Sequence, residues 1–275
     1  VSAMLSDALL QATATGPADY SMRLVLPLAD LAQTSVQGSL TLPGNDVQFA
    51  PGTPALGRLR GALAFTENSF RVSNAQARML GGDLRFEGGQ RATPAPGRNA
   101  SNGNLNANTE PAEAPLLFRG QGTVTAEGLR QARELGLVST LAEHASGSTS
   151  YSASLGFRRG HSEISVSSSL QGLALSLPAP LNKTTTEALP LQFDQSLLRE
   201  SLAPGQNRQD QLTLTLGRLA HVHYVRDISA GEARVLRGSI AVGLEAGESA
   251  AMPAADVAAN VNLQRADKLT PAGAD

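Results

Sequence analysis

Apolar and polar residues alternate along most of this chain. The stretch SSLQGLALSLPAPLNK, residues 168–183, shows the pattern in compact form. Extended backbone puts Leu173, Leu175 and Leu177 on one face and Ala174 and Ser176 on the other. Pro178 and Pro180 then remove ladder donors, so the strand ends there or lies on an edge. The same one-faced alternation recurs. YSMRLVLPL aligns Met22, Leu24, Leu26 and Leu28, and LRGALAFT aligns Leu59, Gly61, Leu63 and Phe65. DLRFE sets Leu84 and Phe86 against Asp83, Arg85 and Glu87, while YSASLGF aligns Tyr151, Ala153, Leu155 and Phe157. SEISVSSSL carries Ile164, Val166 and Leu170, and QLTLTLGR carries Leu212, Leu214 and Leu216. VLRGSIAVGL aligns Leu236, Gly238, Ile240, Val242 and Leu244, and VAANVNL aligns Val257, Ala259, Val261 and Leu263. A period of two predicts a mainly antiparallel β protein with one apolar and one polar face.

One stretch departs from it. In EGLRQARELGLVSTLAEHASG, residues 127–147, Leu129, Ala132, Leu135, Val138 and Leu141 fall at helical spacing. This predicts a helix, or a helical pair broken near Gly136, over about 127–146. Thr140 and Glu143 have capping-box spacing, and Gly147 is a candidate stop. Its apolar stripe is expected to lie on part of the sheet.

Two segments lack regular pattern. Residues 90–114, rich in Pro, Asn, Gly and Ala, are expected to be a disordered loop. Residues 178–209 are punctuated by prolines but keep apolar anchors at Leu189, Leu191 and Phe193, which predicts partial order, folded back on the sheet. A weak internal echo links SVQGSLTLPGN (35–45) with SLQGLALSLPAP (169–180).

Composition narrows the chemistry. The chain has 275 residues, a net charge of −2 and only 4% aromatic residues with no Trp, so neither a basic nor a stacking surface for nucleic acid is expected. The absence of cysteine excludes disulfides and thiolate metal sites. No nucleophile elbow, P-loop or zinc-protease motif occurs, and no cofactor is expected. His221 and His223 lie on one face of a predicted strand, but nothing specifies a third ligand, and they read as solvent-facing residues of the polar side. No apolar run is long enough to span a bilayer. The opening VSAMLSDALLQATATG has neither initiator Met nor signal-peptide pattern, so the chain reads as a piece cut or processed from something longer.

Over most of residues 20–195 the chain resembles the AsmA-like proteins of the YhdP type. The resemblance rests on Val-Gln-Gly-Ser-Leu at 36–40, Gly44-Asn45-Asp46, the strand LRGALAFTE and Leu80-Gly81-Gly82. It continues through the helical segment and SGSTSY to SSLQGLALSLPAPLNK, its most specific part. The final eighty or so residues match in strand character only.

That resemblance implies a periplasmic section of a bridge-like lipid-transfer protein. Such a protein is held in the inner membrane of a Gram-negative bacterium by an N-terminal anchor that this chain lacks. Its long sheet curves into a U-shaped hydrophobic groove, along which phospholipids pass toward the outer membrane. The expected partners are phospholipids and neighbouring segments of the same long chain. Leu24, Leu26, Leu63, Phe65, Leu84, Phe86, Leu155, Phe157, Ile164, Val166, Leu173, Leu175, Leu177, Leu212, Leu214, Leu216, Ile240 and Val242 are then the candidate groove lining. The family supplies no catalytic residues, and no enzyme is expected. The pattern alone leaves open a closed β-sandwich, with a second sheet covering the leucines. The functional alternative is a non-enzymatic periplasmic scaffold that aids outer-membrane assembly.

Overall fold

The computed structural model describes residues 12–28, 34–49, 53–67, 69–90, 116–158, 161–179, 181–203, 205–229, 233–243 and 252–261. The expected loop at 90–114 lies outside the described residues, except for Gln90, which ends a strand.

Strands account for most of the described chain. The first group is β1 (Thr13–Ala14), β2 (Asp19–Val25), β3 (Ser35–Gln48), β4 (Leu56–Thr66), β5 (Phe70–Met79) and β6 (Gly82–Gln90). Then come β7 (Leu116–Thr125), β8 (Ala145–Arg158), β9 (His161–Ser168) and β10 (Leu173–Leu175). The last are β11 (Leu191–Leu197), β12 (Gln209–Leu216), β13 (Ala220–Asp227), β14 (Arg234–Val242) and β15 (Asp256–Val261). They form one open, 15-stranded sheet in the order β1-β3-β4-β5-β6-β7-β8-β9-β11-β12-β13-β14-β15, with β2 also on β3 and β10 on β8. Pairing is antiparallel wherever register is resolved except between β14 and β15, which run parallel. Each segment of alternation named from the sequence contributes to a strand here, although Leu26, Leu28, Leu170 and Leu177 lie beyond the strand ends. The chain is therefore all-β with a minor helical part, and its strands belong to a single sheet rather than to the two of a sandwich.

By contacts the chain divides into two compact units. Unit 1 comprises residues 1–77, 85–119 and 156–160; unit 2 comprises 78–84, 120–155 and 161–275.

In unit 1 the buried residues gather where β3 meets β4. Val47, Leu56 and Leu59 are each less than 9% exposed, beside Asn45 at 4%. Asn45 Nδ2 donates to the carbonyls of Thr15 (2.6 Å) and Pro17 (2.9 Å) and so fastens the link between β1 and β2.

Unit 2 contains the helical segment, in four short pieces. These are α1 (Ala126–Gln131), a 3-10 turn (Arg133–Leu135), α2 (Leu137–Leu141) and a second 3-10 turn (Ala142–His144). The break at Gly136 has φ 55°, a left-handed value that favours glycine. The capping expectation was misplaced. Thr125, not Thr140, is a cap: its Oγ1 accepts from Gly128 N at 3.0 Å at the head of α1. Gly147 lies inside β8 rather than stopping a helix. Leu80 and Gly81, at φ 52° and 78°, form the two-residue turn between β5 and β6. Gly128 packs against the Leu80 carbonyl so closely that a Cβ there would overlap it, which seats α1 on that turn.

Beside α1, β10 pairs with the first residues of β8, Leu173 opposite Gly147 and Leu175 opposite Ala145. Leu173 is 5% exposed and clusters with Ala126 and Ala145, with Leu170 and Leu175 packed against them. Gln171-Gly172 is a turn with Gly172 at φ 92°, whereas Gln37-Gly38 lies within β3, so the sequence echo has no structural repeat. Within 178–209, Leu191–Leu197 is an interior strand between β9 and β12, not a segment folded back on the sheet.

Leu173→Ala should cost about 2–5 kcal/mol, the range for emptying a core site. Leu214→Ala, at a half-exposed position of the sheet face, should cost less than about 2 kcal/mol. Urea unfolding of the two variants measures the difference.

Candidate functional site

Strand register shows which side chains share a face. In unit 2, Val166, Phe193, Leu214, Val222 and Ile240 form one unbroken cross-strand row over β9, β11, β12, β13 and β14. A second row, Leu191, Leu216, Ala220 and Val242, lies on the same side two residues along. Ile164, Gln195, Leu212, Tyr224 and Gly238 make the third. The opposite side holds Ser165, Asp194, Thr213, His223 and Ser239 in one row, and Gln192, Thr215, His221 and Ala241 in another. Alternation has thus sorted the unit into an aliphatic face and a face of hydroxyls, amides and imidazoles.

The aliphatic face is neither solvent-exposed like a surface nor sealed like a core. Ile164, Val166, Leu212, Leu214, Leu216, Ile240 and Val242 are all of intermediate exposure. No large side chain among the described residues is fully buried. A second sheet packed on this face would bury its central leucines. Here they are screened by their neighbours in the row.

Unit 1 repeats the arrangement. Tyr20, Leu40 and Leu63 form one row and Met22, Gly38 and Phe65 the next, with Leu24 opposite Val36. Towards the edge strand exposure rises: Leu24 is 47% and Leu26 52% exposed, while Leu63 and Phe65 are half-buried. Phe86 lies on β6 two residues before Gly88, on the side where Phe118 packs, and Phe157 is half-buried near the end of β8.

Four candidates sit differently. Leu84, in unit 2, is 8% exposed. Leu173 belongs to the core under α1, with Leu175 against it. Leu177 follows the end of β10 and is half-buried. The alternation of 173–177 is the same as elsewhere, but this segment is covered by protein because α1 and the start of β8 fold against it.

Two polar features of unit 2 were not anticipated. Asp210, 2% exposed, receives Arg226 Nε at 3.0 Å and Gln195 Nε2 at 2.9 Å. Register puts Asp210 opposite Arg226 and Leu197, so this ion pair borders the aliphatic rows. The only sequence sign was an acid and a base two residues beyond Leu212 and Tyr224 on their own strands. Lys183 is 6% exposed, and its Nζ donates to the carbonyls of Leu173 (2.7 Å) and Thr184 (2.9 Å). Burial holds its pKa below the usual lysine value, against the opposing pull of the Glu187 carboxylate. Lys183 thereby ties the chain after β10 to that strand.

The histidines lie on the polar face. His221 Nδ1 is 3.2 Å from Thr215 Oγ1. His223 has its pKa lowered, first by burial and then by the charges of His221 and Arg237. Among the described residues no group of three or more His, Asp or Glu is placed to hold a metal.

A family model described as YhdP protein matches residues 1–269. The chain belongs to the YhdP family. No curated protein and no solved structure matches this YhdP-family chain. No helix among its described residues is long and apolar enough to cross a membrane.

Asp210→Ala should cost about 3–5 kcal/mol by leaving the Arg226 guanidinium without its carboxylate, and Asp210→Ala/Arg226→Leu should recover most of that loss in urea unfolding. The His223 shift has a definite sign. Because the folded pKa lies below the unfolded value near 6.5, stability is full above about pH 6.5 and falls as pH drops through the folded pKa. His223→Gln should flatten that part of a stability–pH profile measured between about pH 7 and 5.

Proposed function

We propose that this chain is a periplasmic section of a bridge-like lipid-transfer protein. The aliphatic face of each unit holds phospholipid acyl chains on their way between the inner and outer membranes. Family membership supports the setting. One structural observation carries the reading: large aliphatic side chains in unbroken cross-strand rows, half-exposed, with no second sheet over them among the described residues. An acyl chain laid on such a face returns about 0.8 kcal/mol per buried methylene. The row Val166–Phe193–Leu214–Val222–Ile240 carries no side-chain hydrogen-bond donor, so nothing along it ties the chain to one register. That combination holds a lipid without locking it in place. Neighbouring segments of the same long polypeptide and an inner-membrane anchor complete the proposed path.

The test pairs native mass spectrometry with one substitution. The purified chain should carry phospholipid masses that delipidation removes. Leu214→Asp should remain folded, because a carboxylate on an uncovered face reaches water when no lipid is present. Lipid photocrosslinked from a probe at Ile240, in the same row, should fall several-fold. Loss of the fold would point to a sealed core, where a buried carboxylate is not tolerated. A folded variant with undiminished crosslinking would place the lipid elsewhere. A wild-type chain free of lipid would favour the scaffold reading.

A further inference from the structure

Aromatic residues are scarce in this chain, and several lie across a glycine on the neighbouring strand. In unit 1, a Cβ built on Gly38 would overlap Phe65 Cζ, and one on Gly88 would come within 2.5 Å of Phe118 Cδ1. Unit 2 repeats this: a Cβ on Gly122 would approach Tyr151 Cε1 to 3.1 Å, and one on Gly238 would overlap Tyr224 Cδ1. Gly38 with Phe65, and Gly238 with Tyr224, are direct cross-strand partners. Side chains on a strand ordinarily stand roughly perpendicular to the sheet. A ring that occupies the place of its neighbour's missing Cβ leans over instead, and lies low against the backbone.

We infer that these glycines are clearance determinants. Each lets the ring beside it lie down, which keeps the aliphatic face level and open to unbranched acyl chains. The inference rests on the proposed lipid path and adds to it the positions that set its height. Tyr224 shows the point best. It shares a row with Ile164, Leu212 and Gly238, and adjoins the row of Leu214, Val222 and Ile240. Upright, a tyrosine there would project well beyond Leu212 beside it and Val222 in the next row. Its strand partner is the one residue type that lets it fold down.

Gly238 is also the cleanest site to test. A Cβ at Gly38 would meet the Ser21 carbonyl oxygen at 2.7 Å, and one at Gly122 would meet that of Asp83 at 2.7 Å, so alanine would strain backbone at both. At Gly238 the closest backbone atom is the His223 carbonyl oxygen at 3.1 Å, and the overlap is with the ring. Gly238→Ala therefore displaces the Tyr224 ring rather than the backbone.

The experiment uses the whole chain and vesicles of phosphatidylethanolamine and phosphatidylglycerol containing a diazirine-acyl phosphatidylethanolamine. Wild type should crosslink to the probe; if it does not, the lipid reading itself fails and this inference with it. Given wild-type crosslinking, Gly238→Ala should lower it several-fold while circular dichroism stays unchanged. Gly238→Ala/Tyr224→Ala, which removes the displaced ring, should return it to within about twofold of wild type. Undiminished crosslinking in Gly238→Ala, or no recovery in the double variant, overturns the inference and leaves the lipid reading standing. Tyr224→Ala alone decides the matter even if Gly238→Ala does not fold. With the ring gone the face is no less clear, so crosslinking should stay within about twofold. A several-fold loss would mean the ring grips the acyl chain, and would overturn the clearance role.

Discussion

Lateral pairing between strands is the constraint on which the rest of this structure depends. Among the described residues no second sheet lies over the apolar face, so the sheet does not take its stability from a sealed core there. Backbone hydrogen bonds to both neighbours, and side chains packed along cross-strand rows, must supply more of it. The row Val166–Phe193–Leu214–Val222–Ile240 shows how this works. Each side chain screens the next, so none is bare and none is sealed. Uniform intermediate exposure is the physical result.

Where the structure does build a core, it is local and lies near strand ends. Asn45, Val47, Leu56 and Leu59 gather in unit 1, and Ala126, Ala145 and Leu173 in unit 2. Small residues dominate beneath α1 because helix, turn and strand approach closely there: Gly128 rests on the Leu80 carbonyl, and Lys183 fastens the following segment to the Leu173 carbonyl. These points anchor the sheet without covering the middle of its aliphatic face. The Asp210–Arg226 pair does comparable work on the other side of the rows, where a charged pair is tolerated because each member is bonded to the other and Gln195 accompanies them. For the lipid-transfer reading this division matters. The strength lies at the margins, and the face between them is free to receive a guest.

The glycine–ring contacts belong to the same economy of space. An aromatic residue adds apolar area, but standing upright it would break the level of an aliphatic wall. Pairing it with glycine keeps the area and lowers the profile, and it protects a glycine backbone that would otherwise be bare. Gly238 and Tyr224 are unremarkable when read along the chain. Only their register makes them partners.

By itself the sequence determined the fold class and the sorting of faces. A side-chain period of two survives any arrangement of strands, so Leu212, Leu214 and Leu216 had to share a side wherever β12 was placed. The helical break at Gly136 was legible for the same local reason. Tertiary structure decided what depends on residues far apart in sequence. It decided that Leu173 is covered while Leu214 is not, although both sit in identical alternation, because α1 and β8 fold onto one and nothing described folds onto the other. It made 191–197 an interior strand despite its proline-rich surroundings, because β9 and β12 offered edges to pair. It also joined Asp210 to Arg226, and Tyr224 to Gly238, since cross-strand register is fixed by the whole ladder and cannot be read from any single strand.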